Sequence, residues 1–286
     1  MMKMPHSIHT YYTYKDTPLQ ASFYPAQNKP GALTVIYIHG GGLVYGHRDD
    51  LPAVYRETFT NAGYNLLTID YPLAPETKLP EMFRCLTLAV EWFLKNAATT
   101  LHLPANDYVL FGRSAGAYLA FLLAKDDLSQ GPRGLISFYG YYALTEPSFS
   151  RPSAHYNQFP KAPASYLKQI PDSHPLAAGP IETRFPIYLY GRQTGSWLSL
   201  FLEEPMDVQR YSLSQAELFA LPPVFLTASA ADQDVPYLVS HSAAQSIPKA
   251  VFHPVLGLPH DFDSDLTNNA GKRIYQSVIQ WLGRLG

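Results

Sequence analysis

Two short glycine-rich stretches, His39-Gly40-Gly41-Gly42 and Gly112-Arg113-Ser114-Ala115-Gly116, hold the residue types that acyl transfer requires. A serine hydroxyl is a weak nucleophile at neutral pH, so it needs an adjacent base and a sharply turned, exposed backbone. Ser114 has that setting: it follows a short apolar run of strand character, opens a helix, and is flanked by glycines where strand and helix must approach closely. A bare G-x-S-x-G arises by chance in roughly one chain of this length in ten, so the placement carries the signal more than the pattern does. His-Gly-Gly-Gly is much rarer. The backbone amides of Gly41 and Gly42, with that of Ala115, are candidates to hold the oxyanion of a tetrahedral intermediate. Neither Gly-Lys-Ser/Thr nor G-x-G-x-x-G accompanies the run, which disfavours a phosphate-binding turn. His39 is read as a structural anchor of the loop and not as a base.

The serine also needs an imidazole, and the imidazole a carboxylate that fixes its tautomer and stabilises the imidazolium. Ten histidines compete. His260, in Gly257-Leu258-Pro259-His260-Asp261-Phe262, falls in a loop just beyond the last expected strand, at the sheet edge where the Ser114 strand also ends. His241 falls within a helix and His253 within a strand, positions that favour packing or solvent contact. For the acid, Asp232 and Asp234 both follow the strand Val224–Ala228. Asp232 is preferred, because Asp234 is better placed to cap the helix that Pro236 begins.

These residues need a scaffold, and the rhythm of the chain describes one. Aromatic and β-branched residues between Pro, Asp and Asn punctuation predict two meander strands, Ser7–Tyr14 and Leu19–Tyr24. The continuous apolar runs Leu33–Ile38 and Tyr64–Ile69 read as parallel strands buried on both faces, separated by a helix over about 50–62. Apolar residues at helical spacing (Met82, Leu86, Ala89, Val90, Phe93) predict a helix over Pro80–Ala97. Strand Tyr108–Phe111, helix Ser114–Lys125 and strand Gly134–Tyr139 continue the alternation. The sheet resumes with Val224–Ala228, a helix over about 236–246, strand Ala250–Val255, and a closing helix from about Asn268 to Leu282. Alternating strand and helix imply an α/β fold: a mostly parallel, doubly wound sheet with helices on both faces. Between about Tyr141 and Leu221 the rhythm fails amid Pro, Tyr, Phe and His, which reads as a cap-like insertion in a single domain spanning 1–286.

With 286 residues, 47% hydrophobic and 15% charged, the chain has material for a large core. A formal net charge of -2 without a Lys/Arg-rich run argues against nucleic acid or an anionic membrane as partner, and for a small, weakly charged substrate. The single cysteine, Cys85, excludes an internal disulfide and an all-cysteine metal site, and reads as an inert buried thiol. No run has the apolar length of a membrane span and Met1–Ser7 lacks a leader's apolar core, so a cytoplasmic location is expected. No metal or organic cofactor is implied, and nothing fixes an oligomeric state.

The two motifs together resemble those of the α/β-hydrolase superfamily, and within it the esterases related to hormone-sensitive lipase. Asp70-Tyr71-Pro72-Leu73-Ala74-Pro75-Glu76 is similar to that family's Asp-Tyr-Arg-Leu-Ala-Pro-Glu. Leu221-Pro222-Pro223 and the turn from Asp232 to Val235-Pro236 are similar to its acid-bearing region. The order Ser114, Asp232, His260 is also the family's. The resemblance covers about 30–145 and 220–284. It implies a carboxylic-ester hydrolase acting on small-molecule esters through an acyl-enzyme. Rivals are amide or peptide cleavage by the same triad, against which the glycine-rich oxyanion loop leans, and a non-catalytic binding protein on the same fold. The chain departs from the family in carrying Arg113 where Asp is usual, Ala117 where Gly is common, and Pro72 where Arg is usual. Arg113 either biases the pocket toward an anionic or carbonyl-rich substrate or forms a structural ion pair.

Overall fold

The computed structural model of the chain describes residues 6–27, 33–168 and 174–285. Met1–Pro5, part of the segment read above as lacking a leader, lies outside the described residues. Strands β1 (Ser7–Tyr14) and β2 (Thr17–Tyr24) pair antiparallel. The chain then alternates through β3 (Leu33–Ile38), α1 (Ala53–Asn61), β4 (Asn65–Ile69), α2 (Leu79–Asn96), β5 (Asp107–Arg113), α3 (Ala115–Lys125) and β6 (Gly134–Phe138). Helices α4 (Ser165–Lys168), α5 (Ile181–Thr194), α6 (Asp207–Arg210) and α7 (Gln215–Ala220) follow. The sheet closes with β7 (Val224–Ser229), α8 (Tyr237–Ser246), β8 (Ala250–Val255) and α9 (Ala270–Leu282).

The strands form one sheet in the order β1-β2-β4-β3-β5-β6-β7-β8. β2 joins β4 antiparallel, and from β4 to β8 all neighbours are parallel. Because successive strand residues point to opposite faces, the central strands feed two cores. Ile36, Ile38 and Leu110 pack with α2 and α3 through Leu86, Val90 and Phe121. Val35, Tyr37 and Phe111 pack on the other face with Phe59 of α1 and Tyr275 and Val278 of α9. Burying each such side chain contributes about 1.5–3 kcal/mol, which is why these runs read as continuously apolar. Cys85, on α2, is fully buried, and burial pushes its thiol up to about 11. Among the described residues no helix is long and apolar enough to cross a membrane.

The strand order decides where a site can form. From β3 the chain passes through α1 to β4 on one side, then crosses back through α2 to β5 on the other. The helices that follow β3 and β5, α1 and α3, belong to opposite cores, so the loops leaving the C-terminal ends of those two strands diverge and leave a crevice between them. Both glycine-rich motifs lie there.

The aperiodic region between β6 and β7 contains a 14-residue helix, α5, that hydrophobic spacing does not announce. Its buried residues are Arg184, Ile187, Tyr188, Gly191, Arg192 and Gln193, a mostly polar set, and Pro186 lies inside it. Arg184 ties it to the motif after β4: its guanidinium pairs with Glu76 at 2.7 Å, both side chains being nearly inaccessible, and also donates to the carbonyls of Val44 and Ala74.

Candidate active site

Ser114 is the junction residue between β5 and α3, with φ 52° and ψ −120°, a left-handed backbone that a side-chain-bearing residue adopts at a cost of order 1–3 kcal/mol. The turn is held by the Ser114 amide, which donates to the Phe138 carbonyl at 2.9 Å, and by close packing behind it. A Cβ on Gly116 would lie 2.1 Å from the carbonyl oxygen of Ile38, so only glycine lets α3 start this close to β3.

The structure brings Ser114, His260 and Asp232 into one hydrogen-bonded line. His260, from the loop after β8, places Nε2 2.8 Å from Ser114 Oγ and Nδ1 2.6 Å from Asp232 Oδ2. Asp232 follows β7, and its Oδ1 accepts from the amides of Asp234 and Val235 at 2.8 and 2.9 Å. A carboxylate is acceptor-only, so Nδ1 donates to Asp232 and Nε2 is left to accept from Ser114. Burial works against the imidazolium of His260. The Asp232 charge and hydrogen bond, with Asp234 and Asp261 nearby, outweigh it and raise His260 above the ordinary histidine value.

Asp234 is not the helix cap that its position suggested. The cap of α8 is Pro236, with no side-chain bond, and Asp234 instead turns toward α5. Tyr188 donates its hydroxyl to both Asp234 oxygens at 2.7 and 2.8 Å, and Arg192 pairs with the same carboxylate at 3.3 Å. Asp234 Oδ2 remains 4.0 Å from His260 Nε2.

The loop after β3 runs alongside the serine: a Cβ on Gly40 would sit 3.3 Å from Ser114 Cβ. Gly42, at φ +59°, lies under the Tyr188 ring, where a Cβ would come within 2.3 Å of the ring carbons. Its carbonyl accepts from the Trp197 indole at 3.0 Å. Tyr188 therefore touches both the glycine loop and the acid-bearing turn. His39 is fully buried, stacks on Tyr71 with centroids 4.3 Å apart, and donates Nδ1–H to the Gly40 carbonyl at 2.9 Å. Burial lowers it to about 4, so it is neutral at pH 7 and holds the loop. Tyr71 supports the same turn by donating to the carbonyls of His39 and Gly40.

Of the two roles open to Arg113, the structure shows the ion pair. Its guanidinium meets Asp263 at 3.1 Å, Tyr139 Oη at 2.7 Å and Ser264 Oγ at 2.8 Å. Asp263 is completely buried and also accepts from the hydroxyls of Tyr139 and Tyr275. The His260 loop is thereby bolted to the end of β5, with the Tyr139 ring 4.7 Å from the imidazole. Asp263→Ala would leave Arg113 buried and unpaired. A loss of about 3–5 kcal/mol in unfolding free energy is expected, read from urea denaturation.

Sequence reasoning missed Tyr188, Arg192, Tyr139 and Asp263. The one available signal was Arg113 itself, a buried-strand cation that requires a carboxylate from elsewhere in the chain.

Ser114, His260, Gly41 and Gly42 face a cleft of about 840 Å³. Its walls include Tyr45, Tyr156, Phe159 and Phe185, the last three from the region between β6 and β7.

Comparison with known proteins places this architecture. A family model described as alpha/beta hydrolase fold matches residues 35–180. An alpha/beta hydrolase superfamily protein from Enterococcus faecalis is 30% identical with a TM-score of 0.81, over 98% of this chain and 99% of that one. A Staphylococcus aureus protein of unknown function is 28% identical with a TM-score of 0.85, again over 98% and 99%. Carboxyl esterase 2 of Tuber melanosporum shares the fold at 19% identity and a TM-score of 0.72, over 100% of this chain and 89% of that one. A non-reducing polyketide synthase of Penicillium rubens is 29% identical over 60% of this chain, which spans only 7% of that much longer protein.

Proposed function

The chain belongs to the alpha/beta hydrolase fold family of hormone-sensitive-lipase-like esterases, and from that premise we propose that it is a serine hydrolase cleaving carboxylic esters of small molecules. The observation that carries this reading is the unbroken hydrogen-bonded run from Ser114 Oγ through His260 to Asp232 at the floor of a cleft. In this mechanism Ser114 Oγ attacks the ester carbonyl while its proton passes to His260 Nε2. Asp232 holds the ring in the accepting tautomer and stabilises the imidazolium. The amides of Gly41, Gly42 and Ala115 bear the negative oxygen of the tetrahedral intermediate. His260 returns the proton to the leaving alcohol, and water, activated by the same ring, releases the acyl group. Residues of about 141–221 act as a cap, with Tyr156, Phe159 and Phe185 shaping the acyl and alcohol subsites.

The raised basicity of His260 sets the pH dependence. The ring must be neutral to accept the serine proton, so kcat/KM is expected to climb with pH through a midpoint above the ordinary histidine value of about 6.5. Asp234→Asn removes one of the charges that raise it, so that midpoint should move to lower pH, which a pH–rate profile would measure.

The direct test is a fluorophosphonate probe, which reports an activated serine without assuming a substrate. Modification of Ser114, located by peptide mass spectrometry, is the expected result. A folded protein that takes up no label at Ser114 would overturn the proposal and favour a non-catalytic binding role.

A further inference from the structure

The cleft that holds Ser114 has a charge and ring pattern that specifies its ligand further. Among the described residues its lining contains four carboxylates, Asp50, Glu182, Asp234 and Asp261, and a single Lys/Arg side chain, Arg113. That one cation is spoken for by Asp263 at 3.1 Å behind the wall, with Tyr139 and Ser264 taking further donors. Asp234 is balanced by Arg192 from outside the cleft lining. Among the described residues none of Asp50, Glu182 and Asp261 enters an ion pair, so the cleft faces its ligand with uncompensated negative charge. The field converges on one wall: the Tyr45 phenol is pushed up by burial and then by Asp234, Asp261 and Asp50 together.

That wall is aromatic. The Phe185 ring lies 6.1 Å from Tyr45 and 6.5 Å from Tyr156, and Tyr156 lies 6.2 Å from Phe159, so four rings form a continuous surface inside the cleft. The Arg192 guanidinium already lies 5.7 Å from the centre of the Tyr156 ring, which leaves Tyr45, Phe159 and Phe185 to a ligand. Rings in a cleft lined by carboxylates attract ammonium groups through the ring quadrupole and the net field, and such a cleft repels carboxylates. Resting on the ester-hydrolase reading, we infer that the preferred substrates are esters carrying a positive charge, as a primary or quaternary ammonium, in the acyl or alcohol part. Esters bearing a carboxylate are disfavoured.

The test uses the full chain and two matched series at pH 8 and low salt. In the acyl series, 4-nitrophenyl esters of 6-aminohexanoic, heptanoic and pimelic acids present a cation, a neutral methyl and a carboxylate at the same distance from one carbonyl. In the alcohol series, choline butyrate is compared with its neutral isostere 3,3-dimethylbutyl butyrate. The cationic member of at least one series is expected to exceed its neutral isostere in kcat/KM, and the aminohexanoate to exceed the pimelate by on the order of tenfold. Raising salt to about 0.5 M should narrow that gap. Glu182→Gln combined with Asp261→Asn, both exposed side chains, should lower the cation-to-anion ratio severalfold, with folding checked by circular dichroism. Hydrolysis of the neutral esters with the pimelate equal to or better than the aminohexanoate, and no cationic advantage in the alcohol series, would overturn the inference and leave the hydrolase reading standing. An unchanged ratio in the double variant would remove these carboxylates as its cause and overturn it equally. Failure to hydrolyse any ester, joined to absence of fluorophosphonate labelling, would overturn the hydrolase reading itself.

Discussion

Ser114→Ala and His260→Ala are each expected to lower kcat for an ester substrate by about 10⁴–10⁶-fold, with little further loss when combined, because the two groups act as a unit. The geometry makes the pair interdependent: Nε2 lies 2.8 Å from Oγ, so each variant removes either the proposed nucleophile or the proposed acceptor of its proton. Neither change should unfold the chain. Alanine at position 114 carries the same backbone strain as serine, and Asp232 keeps its two amide donors when the imidazole is lost. Rates measured beside circular dichroism spectra test both halves of the expectation. A Ser114→Ala enzyme retaining a tenth of the parent rate would remove Ser114 from the mechanism.

Asp232→Asn should cost about 10⁴-fold in kcat, and the reason is a forced tautomer. One Asp232 oxygen is fixed by two backbone donors, the amides of Asp234 and Val235. An asparagine there must turn its carbonyl toward those amides and its NH₂ toward His260 Nδ1. Nδ1 would then have to accept, which places the ring proton on Nε2, where it faces Ser114 as a donor instead of a base. Asp234→Asn changes a group bound to Tyr188 and Arg192 and 4.0 Å from Nε2, so its effect on kcat should stay within about tenfold. Comparing the two variants on one substrate is decisive: greater damage from Asp234→Asn would exchange their roles.

The preference for Asp232 over Asp234 fits the side-chain geometry, although the argument for it did not hold. The helix cap assigned to Asp234 does not exist, and what separates the two carboxylates is that Asp234 is drawn away by α5. That helix was invisible for a physical reason. Periodicity detects a helix by an apolar stripe, and the buried face of α5 carries Arg184, Arg192, Gln193 and Tyr188, whose polar ends meet Glu76, Asp234 and backbone carbonyls contributed by other parts of the chain.

What the sequence determined by itself is local and periodic. Buried parallel strands read as apolar runs because both faces are covered, and the Ser114 turn reads as glycines because α3 passes within contact of β3. Together with chain order these placed Ser114, Asp232 and His260 at one end of one sheet. Tertiary structure decided everything that depends on pairing between distant residues. It set Arg113 against Asp263, 150 positions away, and so cancelled the positive charge that Arg113 would bring to the cleft. It also brought Tyr188 between Gly42 and Asp234, joining the glycine loop to the acid-bearing turn. A charge in sequence is only a type of residue. Whether it acts on a ligand or is cancelled by a buried partner depends on which atoms the fold places within a few ångströms of it.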